Sequence, residues 1–144
     1  MISAGKISVL IGRKKRLPKM LINIKRNGYG SRIASWRMLD LTVPLMRDKT
    51  LASQAIFRGA NSAIVEDMAE TVVLGCTGLI RQAIETQKKL NIPILDPVLC
   101  RIKVTEMRAI LQRSHNISYS KIGGYKVPPQ KSLRNYLKIF TLNP

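Results

Sequence analysis

Thr71-Val72-Val73-Leu74-Gly75-Cys76-Thr77-Gly78 is the stretch on which the reading of the fold turns. Residues 71–75 run without alternation of apolar and polar side chains, the pattern of a strand buried on both faces of a parallel sheet. Cys76 then falls at the carboxyl end of that strand. Downstream, Gly78, Leu79, Ile80, Ala83, Ile84 and Gln87 read as a helix ending near Asn91, Ile92–Leu95 as a short strand, and Asp96-Pro97 as the start of a helix reaching about Gln112. Upstream, Asp48 is placed to cap a long helix from Lys49 to about Met68, with Leu51, Ala55, Gly59 and Ala63 on one face. Before it come a strand at Arg32–Leu39 and a loop through Pro44. Further back, a helix from Leu17 to about Arg26 opens with Pro18 and closes at Asn27-Gly28. Lys6–Ile11 supplies the first strand, ending at Gly12.

The order β-α-β-α-β-α-β-α predicts an α/β domain: a mostly parallel open sheet of about four strands, flanked by helices and joined by right-handed crossovers. The expected domain spans residues 1–117. Beyond it, residues 118–144 read as a C-terminal arm, turn-rich around Gly123-Gly124 and Pro128-Pro129 and then amphipathic through Leu133, Tyr136, Leu137 and Phe140. Open parallel sheets bind ligands beyond the carboxyl ends of their strands. Cys76 and Asp96 both fall at that edge.

Composition narrows the function classes. The 144 residues carry 25 Lys and Arg against 8 Asp and Glu, a formal charge of +17, yet 45% are hydrophobic, which is enough apolar surface to support a core and excludes a wholly disordered basic tail. Two cysteines and one histidine give no repeated metal-ligand spacing, so a zinc module, a structural metal or a disulfide scaffold is not expected. No window reaches the roughly 20 apolar residues that span a bilayer, and two unpaired thiols suit a reducing compartment, so the expected location is cytoplasmic. The charge is uneven: 12 bases against 2 acids in residues 1–50, 4 against 5 in 51–100 and 9 against 1 in 101–144. Its densest run, Arg13-Lys14-Lys15-Arg16, reads either as a solvated face or as a phosphate-binding one. With aromatics at 5% and no recognised nucleic-acid motif, binding to nucleic acid is expected only nonspecifically.

Cys76 is the sharpest chemical feature. A thiol between a buried strand and a helix N-terminus would be favoured as thiolate by unpaired N–H groups and the helix dipole, and could serve as nucleophile or proton-transfer base. A small buried hydrophobe is the bland alternative. Asp96, before Pro97, reads as a helix cap rather than a pocket group. His115 reads as a partner for a helix C-terminus, Tyr29 and Trp36 as packing residues.

The stretch Glu66–Gly78, followed by Leu90-Asn91-Ile92-Pro93-Ile94-Leu95-Asp96-Pro97-Val98, resembles the second half of proteins in the aspartate/glutamate racemase superfamily, and within it the hydantoin racemases. Lys6–Leu10, Pro18 and Tyr29–Ser35 look like that family's central strand-helix-strand, and Ser120–Pro129 like its C-terminal signature. The resemblance implies one lobe of a two-lobed, cofactor-independent racemase, in which two cysteines on opposite faces of the substrate's α-carbon remove and return a proton. Carried over residue by residue, it makes Cys76 the acid/base of this lobe. Thr77 and Gly78 become backbone contacts for the substrate carboxylate or oxyanion, and Gly12 a further substrate contact at the end of the first strand. The implied substrate is a small molecule, a 5-substituted hydantoin or an amino acid, and no metal or other cofactor is implied. The chain departs from the pattern in two ways. The family's first lobe, with its own cysteine, would precede residue 1, so the chain reads as half an enzyme that is weak or inactive alone unless a homo-oligomer or a separate first-lobe chain completes it. The pocket hydroxyls usual after the first strand are replaced by Gly12 and then Arg13-Lys14-Lys15-Arg16. Cys100, one turn into the following helix, does not fit the place of the second cysteine. The competing reading is a non-catalytic basic remnant that binds polyanions. A thiol-redox role lacks a Cys-x-x-Cys pair.

Overall fold

The β-branched run Ile7–Ile11 forms β1, buried along its last four residues. A 3-10 turn at Lys14–Arg16 leads into helix α1, Leu17–Arg26, with Pro18 in its first turn, and Gly28 takes a left-handed φ of 73° just past its end. Then follow β2 (Ile33–Met38), the one-turn helix α2 (Val43–Arg47), α3 (Lys49–Asp67), β3 (Thr71–Leu74), a 3-10 turn (Thr77–Leu79), α4 (Ala83–Leu90), β4 (Ile94–Leu95) and α5 (Pro97–His115). The computed structural model describes residues 5–80, 82–120 and 122. The resemblance noted at Ser120–Pro129 and the amphipathic piece at Leu133–Phe140 lie almost wholly outside them. The chain divides into two units, Met1–Thr105, with the sheet and α1–α4, and Glu106–Pro144.

The sheet is four-stranded, ordered β2-β1-β3-β4, and every adjacent pair is parallel. Its two central strands are β1 and β3, with Val9 opposite Val73 and Leu10 opposite Leu74. Val72 and Leu74 are almost fully buried, which is why the run from Thr71 carries no polar alternation. The core forms where α3 lies on the sheet: Leu10, Val72, Leu74 and Leu79 meet Ala52, Ile56, Ala60 and Ala63. Small side chains let the helix approach closely. At Gly59 an added Cβ would stand 2.9 Å from Leu39 Cδ2 and 3.2 Å from Leu10 Cδ2.

Asp48 caps α3 as its sequence position indicates, its Oδ1 accepting from the N–H groups of Thr50 and Leu51. Three details differ from the sequence reading. The buried stripe of α3 is Ala52, Ala55, Ile56, Ala60 and Ala63, so Ala55 and Ala63 face inward as their spacing indicates, while Leu51 is 43% exposed. The stretch taken as a loop through Pro44 contains α2, with Pro44 in its first turn. After Gly78 there is no immediate α-helix: the 3-10 turn ends at Ile80, whose ψ of 137° is extended, and α4 begins only at Ala83. Leu79 and Ala83 are both buried, so their four-residue spacing imitates a helical period across a broken backbone.

Candidate active site

The site is built on the carboxyl ends of β1 and β3. Gly75 donates its N–H to Leu10 O at 2.7 Å, tying the end of β3 to β1, and Cys76 follows in extended conformation. The turn closes behind it, with Leu79 N–H bonding to Cys76 O at 3.2 Å. The close approach requires a glycine at 75: an added Cβ would lie 2.9 Å from Leu10 O, 3.0 Å from Met20 Cε and 3.2 Å from Val9 Cγ1.

Cys76 is half-buried, and its thiol donates to Met46 Sδ at 3.6 Å. Met46, on α2, is 4% exposed and fills the space between the two strand ends. An added Cβ at Gly12 would collide with Met46 Cε, and one at Gly78 would sit 3.1 Å from its Sδ and 3.6 Å from Cys76 Sγ. Gln82 Nε2 donates to Met46 O at 3.1 Å, holding the short helix in place. The sequence reading missed Met46. Its signal was Thr42-Val43-Pro44, an N-cap type followed by proline in a first turn.

Two clefts meet at the thiol. One, of about 470 Å³, is lined by Gly12, Arg13, Lys15, Arg16 and Lys19 together with Met46, Cys76 and Thr77. The second, of about 430 Å³, is apolar, lined among others by Val9, Tyr29, Trp36 and Val73, and shares Met20, Asn23, Gly75, Cys76 and Thr77 with the first. The structure therefore brings Cys76, Thr77 and Gly12 together. Gly78 borders the thiol without lining either cleft. Asp96 is 4% exposed and caps α5, its Oδ1 accepting from Val98 and Leu99 N–H at 2.8 and 3.3 Å. Cys100 lies in the first turns of α5 and lines neither cleft. The helix-terminus argument for Cys76 is corrected by the geometry: the thiol precedes a three-residue turn, and the α4 N-cap is Gln82. Among the described residues, no three His, Cys, Asp or Glu side chains cluster as a metal site.

The ionised pair with a shifted equilibrium lies elsewhere. Arg37 on β2 bonds to Asp67 at 2.7 Å and to Glu66 at 2.8 Å at the end of α3. Those hydrogen bonds raise the guanidinium further above its ordinary value. Burial pushes the Asp67 carboxyl up, but hydrogen bonds from Ser35 and Arg37 and the nearby positive charge outweigh it, leaving it below the usual carboxylate value. This pair braces α3 against β2.

The family model described as Asp/Glu/Hydantoin racemase matches residues 3–105. The chain belongs to this family. It is 29% identical over 126 residues to a hydantoin racemase of Paenarthrobacter aurescens, covering 87% of this chain and 50% of that protein. A hydantoin racemase of Pseudomonas sp. (strain NS671) is 30% identical over 88% of this chain and 45% of its own length. The chain thus spans about half the length of the curated relatives it matches. Among solved structures, an allantoin racemase from Pseudomonas fluorescens superposes with a TM-score of 0.71 at 29% identity over 87% of this chain and 52% of that one. An allantoin racemase from Klebsiella pneumoniae, at 24% identity and a TM-score of 0.76, shares the fold. The four-stranded parallel α/β architecture and the family assignment agree with the resemblance carried by Glu66–Val98. No helix among the described residues is long and apolar enough to cross a membrane.

Proposed function

We propose that this chain supplies one half of a cofactor-independent racemase site, with Cys76 moving a proton at the α-carbon of a 5-substituted hydantoin or a related amino-acid derivative. One observation carries the reading: the thiol sits at the carboxyl edge of the central strands, at the junction of two clefts, one of which Gly12 also lines. A proton next to a carbonyl is weakly acidic, so its removal needs an aligned base and donors for the developing enolate oxygen. In the proposed step the Cys76 thiolate takes the α-proton and becomes a thiol, while the electron pair of the broken C–H bond moves into the enolate. The first N–H groups of the Thr77–Leu79 turn, which lack partners within the turn, face the requirement for donors. Reprotonation on the opposite face completes inversion.

Among the described residues, neither cleft at Cys76 contains a second thiol, an imidazole or a carboxyl group. Tyr29 lines the apolar cleft and Lys15 and Lys19 the cationic one, but the family resemblance calls for a second cysteine, so the opposite-face acid is assigned to a first lobe or another chain. Racemisation by this chain alone is expected at least about a hundredfold below that of a two-base site, the usual size of one acid-base contribution. Racemisation at the two-base rate, or a rate unchanged by Cys76→Ser, would overturn the reading. The competing function, polyanion binding without chemistry, predicts instead that Cys76→Ser changes nothing while charge reversal at Lys14 and Lys15 abolishes a salt-sensitive interaction. A cytoplasmic location belongs to the same proposal, resting on two free thiols.

A further inference from the structure

The sequence sets the basic run and the cysteine against each other as rival explanations, but the structure puts them on one cleft. Arg13, Lys15 and Arg16 come from the turn after β1, and Lys19 from the first turns of α1. All four line the 470 Å³ cleft that ends at Cys76 and Thr77. Its other polar wall residue is Asn23, and among the described residues no Asp or Glu lines it. The adjoining apolar cleft, which also reaches the thiol, has no charged residue among its described lining. A cleft with four cations and no anion among its described lining residues carries a positive field and raises the local concentration of negatively charged ligands. The remaining bases of α1, Lys25 and Arg26, fall outside it.

We infer that the ligand received at Cys76 is a small organic anion: a ureide or amino-acid derivative whose substituent carries a carboxylate, with that group on the Arg13–Lys19 wall and the reacting carbon at the thiol. This rests on the proposed role of the site and narrows its substrate class. The adjoining apolar cleft accommodates an uncharged part, so the charged and uncharged portions of one molecule fall in the two clefts that share Cys76. A long polyanion would meet the same cations, but it would have no use for the inward cleft or for the thiol at its end.

The test uses the full chain carrying Cys100→Ser, so that Cys76 alone reports. Its alkylation rate is measured with iodoacetate, an anion, and with iodoacetamide, its neutral counterpart, and their ratio is compared with that for a neutral cysteine model compound. Any change in thiolate fraction acts on both reagents and cancels. The expected ratio is about tenfold above the model compound at 10 mM salt and about twofold above it at 0.5 M, because screening shortens the range of the field. Lys15→Glu with Arg16→Glu, both at exposed positions, should remove the excess, while Lys25→Glu with Arg26→Glu should leave most of it. A ratio equal to that of the model compound, or one lowered equally by both double variants, overturns the inference. Protection of Cys76 by hydantoin-5-acetate at concentrations at least about tenfold lower than by 5-methylhydantoin supports it. Equal protection by the two overturns it and leaves the proposed function standing. No protection by either, with the iodoacetate excess intact, removes the proposed function and keeps an anion cleft. Protection by a short oligonucleotide at concentrations below those of hydantoin-5-acetate overturns the small-anion assignment in favour of a polyanion.

Discussion

Replacing Gly75 by alanine tests whether the β1–β3 junction sets the position of the thiol. The new methyl would start 2.9 Å from Leu10 O, 3.0 Å from Met20 Cε and 3.2 Å from Val9 Cγ1. Met20 Cε, at the end of a flexible side chain, can move aside. Leu10 O cannot do so alone, because it accepts the Gly75 N–H at 2.7 Å, so relief requires the strand ends to separate by roughly half an ångström. Overpacking of this kind costs about 1–3 kcal/mol, offset by about 0.4–1 kcal/mol from the stiffer unfolded chain. The net expectation is a loss of about 1–2 kcal/mol. With a urea m-value of about 2 kcal/mol/M, this lowers the denaturation midpoint by about 0.5–1 M. The same displacement carries Cys76 away from Met46, so the alkylation rate of Cys76, read in the Cys100→Ser background, should change by at least about threefold while that of Cys100, read in the Cys76→Ser background, stays constant. An unchanged midpoint together with an unchanged Cys76 rate would refute the reasoning, since it would mean that the contact at 2.9 Å constrains nothing.

Further outcomes follow from the same geometry. Met46→Ala should cost about 2–4 kcal/mol by leaving a cavity between the strand ends, and should increase Cys76 alkylation by uncovering Sγ; denaturation and labelling check both. Asp67 is held below its ordinary pKa, so the stability it contributes is complete above the unfolded value of about 3.9 and disappears as the pH falls through the lower folded value. The midpoint difference between the native chain and Asp67→Asn should accordingly be constant above about pH 5 and shrink at lower pH; a difference that grows on acidification contradicts the bracing role of Arg37. Leu99 and Ile102 on α5, with Val65 and Met68 at the end of α3, are exposed apolar residues. Self-association at micromolar concentration is expected by light scattering, and a clean monomer would contradict it.

Where pattern and burial coincide, the fold was legible. The unbroken run from Thr71 told of a buried parallel strand because β3 has sheet neighbours on both sides and little solvent contact. Asp48, Pro18 and Asp96-Pro97 marked helix starts because capping is a local event that tertiary packing does not override. On α3 the predicted face held at Ala55, Gly59 and Ala63 and failed only at its first member, where Ala52 takes the inward place and Leu51 is left exposed. The turn after Cys76 was misread because Leu79 and Ala83 keep a helical spacing through an extended residue, and periodicity carries no information on φ and ψ between its marks. At the site, Cys76, Thr77 and Gly12 could be named from the sequence, whereas Thr42-Val43-Pro44 signals only the short helix that carries Met46, and its contact with Cys76 is made by long-range packing. The meeting of the basic run with the thiol was equally invisible, since residues 13–19 and 76 are brought together by parallel strand pairing.

The central claim, that Cys76 moves a proton at the substrate α-carbon from one face, is tested most directly by hydrogen exchange at C5 of the separate enantiomers of hydantoin-5-acetate in D₂O with this chain. The account predicts protein-dependent deuterium incorporation into one enantiomer with retention of configuration, lost by at least about a hundredfold in Cys76→Ser and kept in Cys100→Ser. Exchange that survives Cys76→Ser, that requires Cys100, or that does not rise above the protein-free rate would contradict it.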